Sequence, residues 1–409
     1  MDGPRSDLAE VKERLAAEVD RRRPLLVDVS HRIHAHPELG YEEWFAHDLL
    51  TRVLEDEGLD VTRSVRGIAT AFEARAGSAD GPTVAVVCEY DALPGIGHAC
   101  GHNIIAAAGL GAGLAAAALA DELGGRVLIV GAPAEEGGGG KLHLIDGGTF
   151  AGVDAALMVH PADADLLAMD VIAVHEVVAS YTGEAAHAAA FPHHGRNALD
   201  AAVLGYMNVA ALRQHIGPGE RVHGIISHGG DKPNIVPERA RSEWMVRSPT
   251  LAGLDRLKPR VVACLQAGAE ATGCEMELEW RDVVYADMID NQAISERYRA
   301  NAEALGRIVR PSSPAARVVG STDMGNVSYE VPAIHPMIGV APPGVHIHTP
   351  AFAGFAAGPE GDRAVIDGAK ALAFTVADLW LDDGLVGRAR AEWGAAVSAR
   401  GGAVRCPGR

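Results

Sequence analysis

Apolar residues recur at helical spacing through the first sixty residues of the chain. Between residues 8 and 19 they lie three or four positions apart, which predicts an amphipathic helix. A second helix is predicted from about 25 to 35, because Pro37 disfavours helical geometry at the residue before it. A third is predicted to begin near Tyr41. The chain therefore opens with a helical segment.

The next part of the chain alternates short apolar runs with loops. Continuous apolar runs of strand length occupy 84–88, 127–130 and 155–159, and Gly/Pro-rich stretches follow the first two. A long Ala-rich helix is predicted at about 101–123, between the first two runs. Strand, loop, helix and strand in this order predict an α/β domain whose strands are covered on both faces.

A different pattern begins near residue 171. Strands are predicted at 173–182, 222–227, 239–247 and 275–281, and helices at 197–214 and 254–272. This βαββαβ order predicts a small α+β domain. Helical and α/β segments return after about 286 and end in a helix at 362–382. The predicted organisation is a discontinuous α/β domain (1–176 and 288–399), an inserted domain (177–287) and a flexible tail (400–409).

Composition narrows the range of partners. The 54 acidic and 36 basic residues give a formal net charge of −18, which disfavours binding to nucleic acid or to an anionic membrane. The chain begins without the apolar stretch of a secretory signal. Its five cysteines include no Cys-x-x-Cys pair, so a reducing, cytoplasmic location is expected.

The loop after the first apolar strand carries the clearest chemical signal. Cys100 and His102 are separated only by Gly101, a spacing that lets a thiolate and an imidazole converge on one metal ion. Asp91, just upstream, is placed to accept the other imidazole N–H. Taken alone, the same residues also fit a Gly-rich turn with a buried thiol and a capping histidine.

Three further candidates follow along the chain. Glu135 and Glu136 come after the second strand, where one could bind metal while the other acts on water, although a solvated acidic turn is the alternative. His160 ends the third strand, a position more typical of a structural histidine. Of His346 and His348, either could be a ligand, whereas His335 is interpreted as structural. One cysteine, one glutamate and three histidines at successive strand ends together favour zinc, manganese, cobalt or nickel over magnesium or calcium.

These motifs resemble the aminoacylase and carboxypeptidase-G family of dinuclear metallohydrolases, in its amidohydrolase branch. The resemblance runs from His31-Arg-Ile-His-Ala-His-Pro-Glu-Leu-Gly to about Trp380. The segments 222–237, 320–328 and Cys100-Gly-His-Asn103 are similar to the β-alanyl-lysine dipeptidase and p-aminobenzoyl-glutamate hydrolase type. One position departs from it, because Pro350 follows Thr349 where the most similar relatives tend to have Glu.

The resemblance implies a zinc-peptidase-like three-layer catalytic domain and an inserted ferredoxin-like lid, through which two chains form a homodimer. It also implies hydrolysis of an amide bond in a small N-acyl amino acid or dipeptide, by water activated on two divalent transition metal ions. The resemblance also implies the metal ligands: Cys100 bridges the ions, His102 and His160 complete one site, and Glu136 and His348 complete the other. It implies that Glu135 is the general base and that His187 is the lid histidine that reaches the partner's site. Asn234 and Arg247 are implied to hold the substrate.

Three other functions are weighed against this one. An aminohydrolase could use the same activated water to release ammonia. A non-catalytic binding domain on this fold is disfavoured, because all five implied ligands and Glu135 are present. An enzyme with Cys100 as nucleophile would need a base, but neither the Glu pair nor the histidines, and it would resist chelators.

Overall fold

A computed structural model describes residues 7–78, 80–311 and 319–401 of the chain. They form two compact units, one containing the residues up to Asp170 and from Met288 onward, the other containing Val171–Asp287. The tail predicted at 400–409 lies outside the described residues, apart from Arg400 and Gly401.

The helices and strands are numbered in chain order over the described residues. The helices are α1 (Leu8–Arg21), α2 (Arg23–Ala35), α3 (Trp44–Asp56), α4 (His102–Leu123), α5 (Gly140–Asp146), α6 (Ala198–Leu212), α7 (Leu251–Thr272), α8 (Gln292–Ala304), α9 (Met324–Glu330), α10 (Pro350–Ala356), α11 (Pro359–Leu381) and α12 (Leu385–Ala399). The strands are β1 (Asp60–Arg63), β2 (Phe72–Ala76), β3 (Thr83–Glu89), β4 (Arg126–Ala132), β5 (Ala155–Leu157), β6 (His160–Ala162), β7 (Asp170–Val171), β8 (Ala173–Thr182), β9 (Arg221–His228), β10 (Arg239–Ser248), β11 (Glu275–Tyr285), β12 (Val319–Gly320), β13 (Ala333–Ile334) and β14 (Met337–Gly339).

The first unit is built on a six-stranded sheet in the order β1-β2-β4-β3-β5-β13. Strands β4, β3, β5 and β13 are parallel, whereas β2 runs antiparallel to β4. From β3 the chain passes through α4 to β4 on one side of β3, and from β4 it passes through α5 to β5 on the other side. The order of strands therefore reverses beside the carboxyl end of β3. In open α/β sheets a crevice forms at such a point, and ligands bind there.

The core of this unit lies between the sheet and α4. Every residue of β3 is buried, and α4 packs against β3, α2 and α11. Among the described helices, α4 alone is long and apolar enough to cross a membrane, but 89% of its apolar window is buried inside the fold. It is therefore the central core helix that the Ala-rich pattern predicts.

The second unit has the predicted βαββαβ order. Its antiparallel sheet has the strand order β11-β8-β10-β9, and α6 and α7 pack together and against β8 and β10. Alternate residues of β10 are buried, including Trp244 and Val246, because one face of the sheet meets the helices. The α/β unit with an inserted ferredoxin-like α+β unit is the fold class that the sequence predicts.

Candidate metal centre

The loop from β3 to α4 carries Asp91, Cys100 and His102. Cys100 is 4% exposed and His102, the first residue of α4, is fully buried. Gly101 between them has φ +80, and a Cβ there would lie 2.5 Å from Cγ of Pro161. Only glycine tolerates both this backbone conformation and this close contact, so it allows the thiol and the imidazole to face the same space.

Asp91 fixes the orientation of His102. Its Oδ1 lies 3.0 Å from Nδ1 of His102, and since a carboxylate only accepts, Nδ1 carries the proton. The opposite ring nitrogen, Nε2, is buried and makes no hydrogen bond to the described residues. It faces carboxylate oxygens of Glu135 and Glu136 at 3.8 Å and 3.9 Å. A buried imidazole nitrogen that faces acidic oxygens and has no hydrogen-bond partner among the described residues fits a metal ligand.

Glu135 and Glu136 follow β4 on a tightly bent loop. Ala134 has φ +59, a left-handed conformation that is uncommon for alanine. The backbone N–H of Glu136 donates to Oδ2 of Asp91 at 2.9 Å, so one aspartate holds both the imidazole and the acidic loop. Burial raises the pKa of Glu135 well above its usual range, and the charges of Glu89 and Glu136 raise it further.

Two histidines complete the cluster. His160 Nδ1 lies 2.8 Å from the carbonyl oxygen of Pro161, and its other ring nitrogen, Nε2, faces Cys100 Sγ at 3.4 Å. Burial lowers the pKa of His160 to about 4, so its imidazole is neutral, as a metal ligand must be. His348 Nε2 lies 3.3 Å from Oε1 of Glu136.

The structure distinguishes the two histidines that the sequence left open. His348 has φ +63, and its backbone N–H donates to the carbonyl of Ala99 at 2.8 Å, which holds it beside Cys100. His346 is 72% exposed and lies near Asp163 instead. His335 is buried against His160, with 5.3 Å between the ring centroids.

The ligand atoms fit two metal ions that share Cys100. Its Sγ lies within 4.8 Å of nitrogen atoms of both His102 and His160. The same Sγ groups with Glu136 and His348 within the same limit. Thiolate, imidazole and carboxylate are the donors that zinc takes in proteins, and a shared thiolate is the donor that two neighbouring ions would need.

A buried triad of charged residues, Lys141, Glu89 and Asp323, lies beside His102 and was not predicted from the sequence. Nζ of Lys141, fully buried, lies 2.5 Å from Oε1 of Glu89 and 2.5 Å from Oδ1 of Asp323. Although burial alone would lower its pKa, the two carboxylates raise the pKa of Lys141. Glu89 Oε2 in turn lies 3.7 Å from Nε2 of His102. Nothing in the sequence spacing of Glu89 and Asp323 predicts that they share one lysine.

The remaining predicted residues belong to the second unit. His187 is exposed, and its Nδ1 accepts from the backbone N–H groups of Ala189 and Ala190 at 3.3 Å and 3.2 Å. Its segment pairs with the one that holds Asn234, whose carbonyl accepts from Ala188 at 3.1 Å. Arg247 lies on β10 and is partly buried. The structure thus brings His187 and Asn234 together within their own unit.

A protein-family comparison decides what kind of molecule carries this cluster. The model of peptidase family M20/M25/M40 matches residues 85–376. The chain belongs to this family. It is the family that the sequence motifs resemble, so the predicted relationship is confirmed.

Known relatives cover almost the whole chain. It is 39% identical over 402 residues to Xaa-Arg dipeptidase of Mus musculus, covering 95% of this chain and 93% of that protein. It is 29% identical over 444 residues to one of the subunits of Escherichia coli p-aminobenzoyl-glutamate hydrolase, covering 91% of this chain and 92% of that protein. Among solved structures, a dinuclear metal-binding M20 peptidase from Bacillus subtilis matches with a TM-score of 0.68 and 20% identity over 88% of this chain and 98% of that one.

These relationships establish the class of reaction. The chain is a metal-dependent hydrolase of C–N bonds, with the dipeptidase and amidohydrolase activity that the sequence predicts, and it uses divalent metal. One departure from the expected motif has a local explanation. Pro350 is the first residue of α10, and the Thr349 side chain caps that helix by accepting from Phe352 N–H.

Proposed function

We propose that this M20 hydrolase is a dipeptidase whose two metal ions, most suitably zinc, share the thiolate of Cys100. In this assignment His102 and His160 hold one ion, and Glu136 and His348 hold the other. The observation that carries it is that Cys100 belongs to two of the three groups of possible ligand atoms among the described residues, the third being Glu89, His102 and Glu135. When bound, the metal supplies a water molecule of lowered pKa and a positive charge beside the substrate carbonyl.

Glu135 moves the proton in this proposal. Its carboxylate takes a proton from the attacking water as the oxygen bonds to the carbonyl carbon. It then delivers this proton to the amine nitrogen as the C–N bond breaks. The adjacent Glu136 faces His348, so the two neighbouring acids have separate tasks. Asp91 keeps His102 turned toward the cluster throughout.

One relative and three residues of the second unit support the proposed substrate class. We assign to this chain dipeptides that end in a basic residue, because a relative of 39% identity is an Xaa-Arg dipeptidase. Arg247 and Asn234 are proposed to hold the substrate, with the Arg247 guanidinium on its carboxylate. His187 of the partner subunit is proposed to donate a hydrogen bond to the carbonyl oxygen as its negative charge grows.

The homodimer is proposed to form through the second unit. Strand β9 is one of the two edge strands of its sheet and pairs only with β10 among the described strands, and its Ile225 is 62% exposed. On α6, Met207 is 59% exposed. A second copy would cover both features. A cytoplasmic location is proposed from the free cysteines.

The test combines metal content with product analysis. Purified protein is expected to hold close to two transition metal ions per chain and to release free arginine from Xaa-Arg dipeptides. Stripping the metal should abolish turnover, and zinc, manganese, cobalt or nickel should restore it. Release of ammonia would favour the aminohydrolase, whereas turnover without metal would favour Cys100 as nucleophile. p-Aminobenzoyl-glutamate as the better substrate would contradict the assignment of a basic residue.

Two variants test the proposed role of His187 and the proposed dimer interface. Replacing the His187 imidazole in His187→Ala should leave fold and metal content intact and lower kcat by roughly 10²–10³-fold, the usual effect of losing one such donor. Ile225→Lys should favour the monomer in light scattering and lower activity with it. Full activity of either variant would remove that residue from the proposal.

A further inference from the structure

The segment joining α2 to α3 contacts both loops of the metal centre. The carbonyl of Glu38 accepts from Ala92 N–H at 2.8 Å, next to Asp91. The Tyr41 hydroxyl donates to the carbonyl of Gly138 at 2.5 Å, beyond Glu136. This segment contains the motif His36-Pro-Glu-Leu-Gly40, which the proposed function leaves without a task.

Glu43, the last residue of this segment, has a completely buried carboxylate. It stands at the N-terminus of α3, yet its side chain does not cap that helix. Oε1 instead accepts from Ala134 N–H at 2.8 Å, and Oε2 accepts from the Thr70 hydroxyl at 2.9 Å. It forms no ion pair with the described residues. Because burying a carboxylate is costly, its hydrogen bonds must serve the surrounding structure.

The hydrogen bond from Ala134 N–H to Glu43 holds a residue in an uncommon backbone conformation. The left-handed φ of +59 at Ala134 turns the chain so that Glu135 and Glu136 follow in sequence at the cluster. Gly40 approaches from the same segment, where a Cβ would lie 2.9 Å from Ala134 Cβ. The acidic loop is thus held at Ala134 by Glu43 and at Glu136 by Asp91. Without the first hydrogen bond, Ala134 can relax and change the direction of Glu135.

We propose that Glu43 is a positioning residue, which fixes Ala134 and thereby aims Glu135 at the attacking water. This inference rests on the proposed role of Glu135. It assigns a task to a buried acid that touches neither metal ligands nor substrate.

The experiment compares side chains that differ in the acceptor. Glu43→Leu fills the same space without an acceptor, and we expect folded, metal-loaded enzyme with KM within about threefold of wild type and kcat lowered by roughly 10–100-fold, as displaced catalytic groups cause. Glu43→Gln keeps an oxygen for Ala134 N–H and should recover most of kcat. Thr70→Val removes the other hydrogen bond and serves as the matched control, with kcat close to wild type.

Each result decides the proposal. A folded, metal-loaded Glu43→Leu with kcat within twofold of wild type would overturn it, as would a Glu43→Gln enzyme as slow as the Leu variant. If Glu43→Leu does not fold, Glu43→Asp decides, because its shorter side chain withdraws the acceptor and should lower kcat at unchanged KM; wild-type kcat in that variant would overturn the proposal. Failure of the proposed function is distinguishable, since wild-type enzyme would then cleave no dipeptide or Glu135→Gln would stay active.

Discussion

Asp91 and His102 lie 3.0 Å apart, both fully enclosed in the protein, and the second carboxylate oxygen of Asp91 holds the backbone of Glu136. One side chain therefore connects the loop after β3 with the loop after β4. The orientation of a ligand and the position of an acidic loop depend on the same carboxylate.

We expect Asp91→Ala to weaken metal binding by roughly 10–100-fold, the usual effect of removing a hydrogen-bond partner of a ligating histidine. The measurement is competition of the purified variant with a chelator of known affinity. Asp163→Ala, which alters an acid beside the exposed His346, is the matched control and should bind metal as wild type does. Unchanged affinity in Asp91→Ala would contradict a ligand role for His102.

Glu135→Gln should keep its metal and lose turnover, because the amide retains the size of the side chain but accepts no proton. Metal content and kcat are measured on the same preparation. We expect at least about a 10²-fold loss of kcat, in the range of general acid–base catalysis. A variant that is inactive because its metal is lost would count against the base assignment.

Lys141→Met should destabilise the protein strongly, because it leaves Glu89 and Asp323 buried without their cation. Breaking such a buried pair costs about 3–5 kcal/mol, which a thermal or denaturant melt detects. Lys370→Met is the control, since Lys370 pairs with the partly exposed Asp20 and should change stability by less than about 1 kcal/mol. Equal melting of the two variants would refute a structural role for the triad.

Asp290 should make stability dependent on pH. Burial raises its pKa from 3.8 to about 7, and the charge of Arg400 lowers it only in part. The folded state therefore holds the proton more tightly than the unfolded state, so this group's contribution is complete below about pH 4 and is lost as the pH rises through about 7. Asp290→Asn mimics the protonated form and avoids that loss.

Denaturant melts of wild type and Asp290→Asn test this. The advantage of the variant should widen by roughly 2–3 kcal/mol between about pH 5 and pH 8, following 1.36 kcal/mol per pKa unit. Metal loss at the lower pH affects both proteins alike, so the difference isolates Asp290. Exposed Asp28, replaced by Asn, should show no such widening. A constant difference between wild type and Asp290→Asn would show that Asp290 is ionised in the folded state.

Strong apolar patterns made much of the fold predictable. Strands β3 and β4 and the helix α4 are continuous apolar stretches and were predicted within a few residues of their bounds. Strand β1 was missed, because its polar residues lie at the sheet edge without a buried face. Helix α12 was missed as well, since it buries only Leu385 and Ala389.

The predicted start of α3 was wrong for a local reason. It was predicted near Tyr41, but the helix begins at Trp44, because Tyr41 has φ +67 and cannot belong to a helix. Within the site, too, a local motif could be predicted, whereas a contact between distant residues could not. The Cys100-Gly-His102 spacing is local and legible in the sequence, whereas Lys141 and Asp323 are 182 positions apart and meet only in the folded chain.

The proposed ligands differ in their access to water. His102 and His160 are buried, whereas the side chain of His348 is 49% exposed. For the proposed pair of ions, this asymmetry makes one position exchangeable and the other kinetically retained. Brief dialysis would leave a half-loaded protein, and a different metal could then be placed selectively at the outer position.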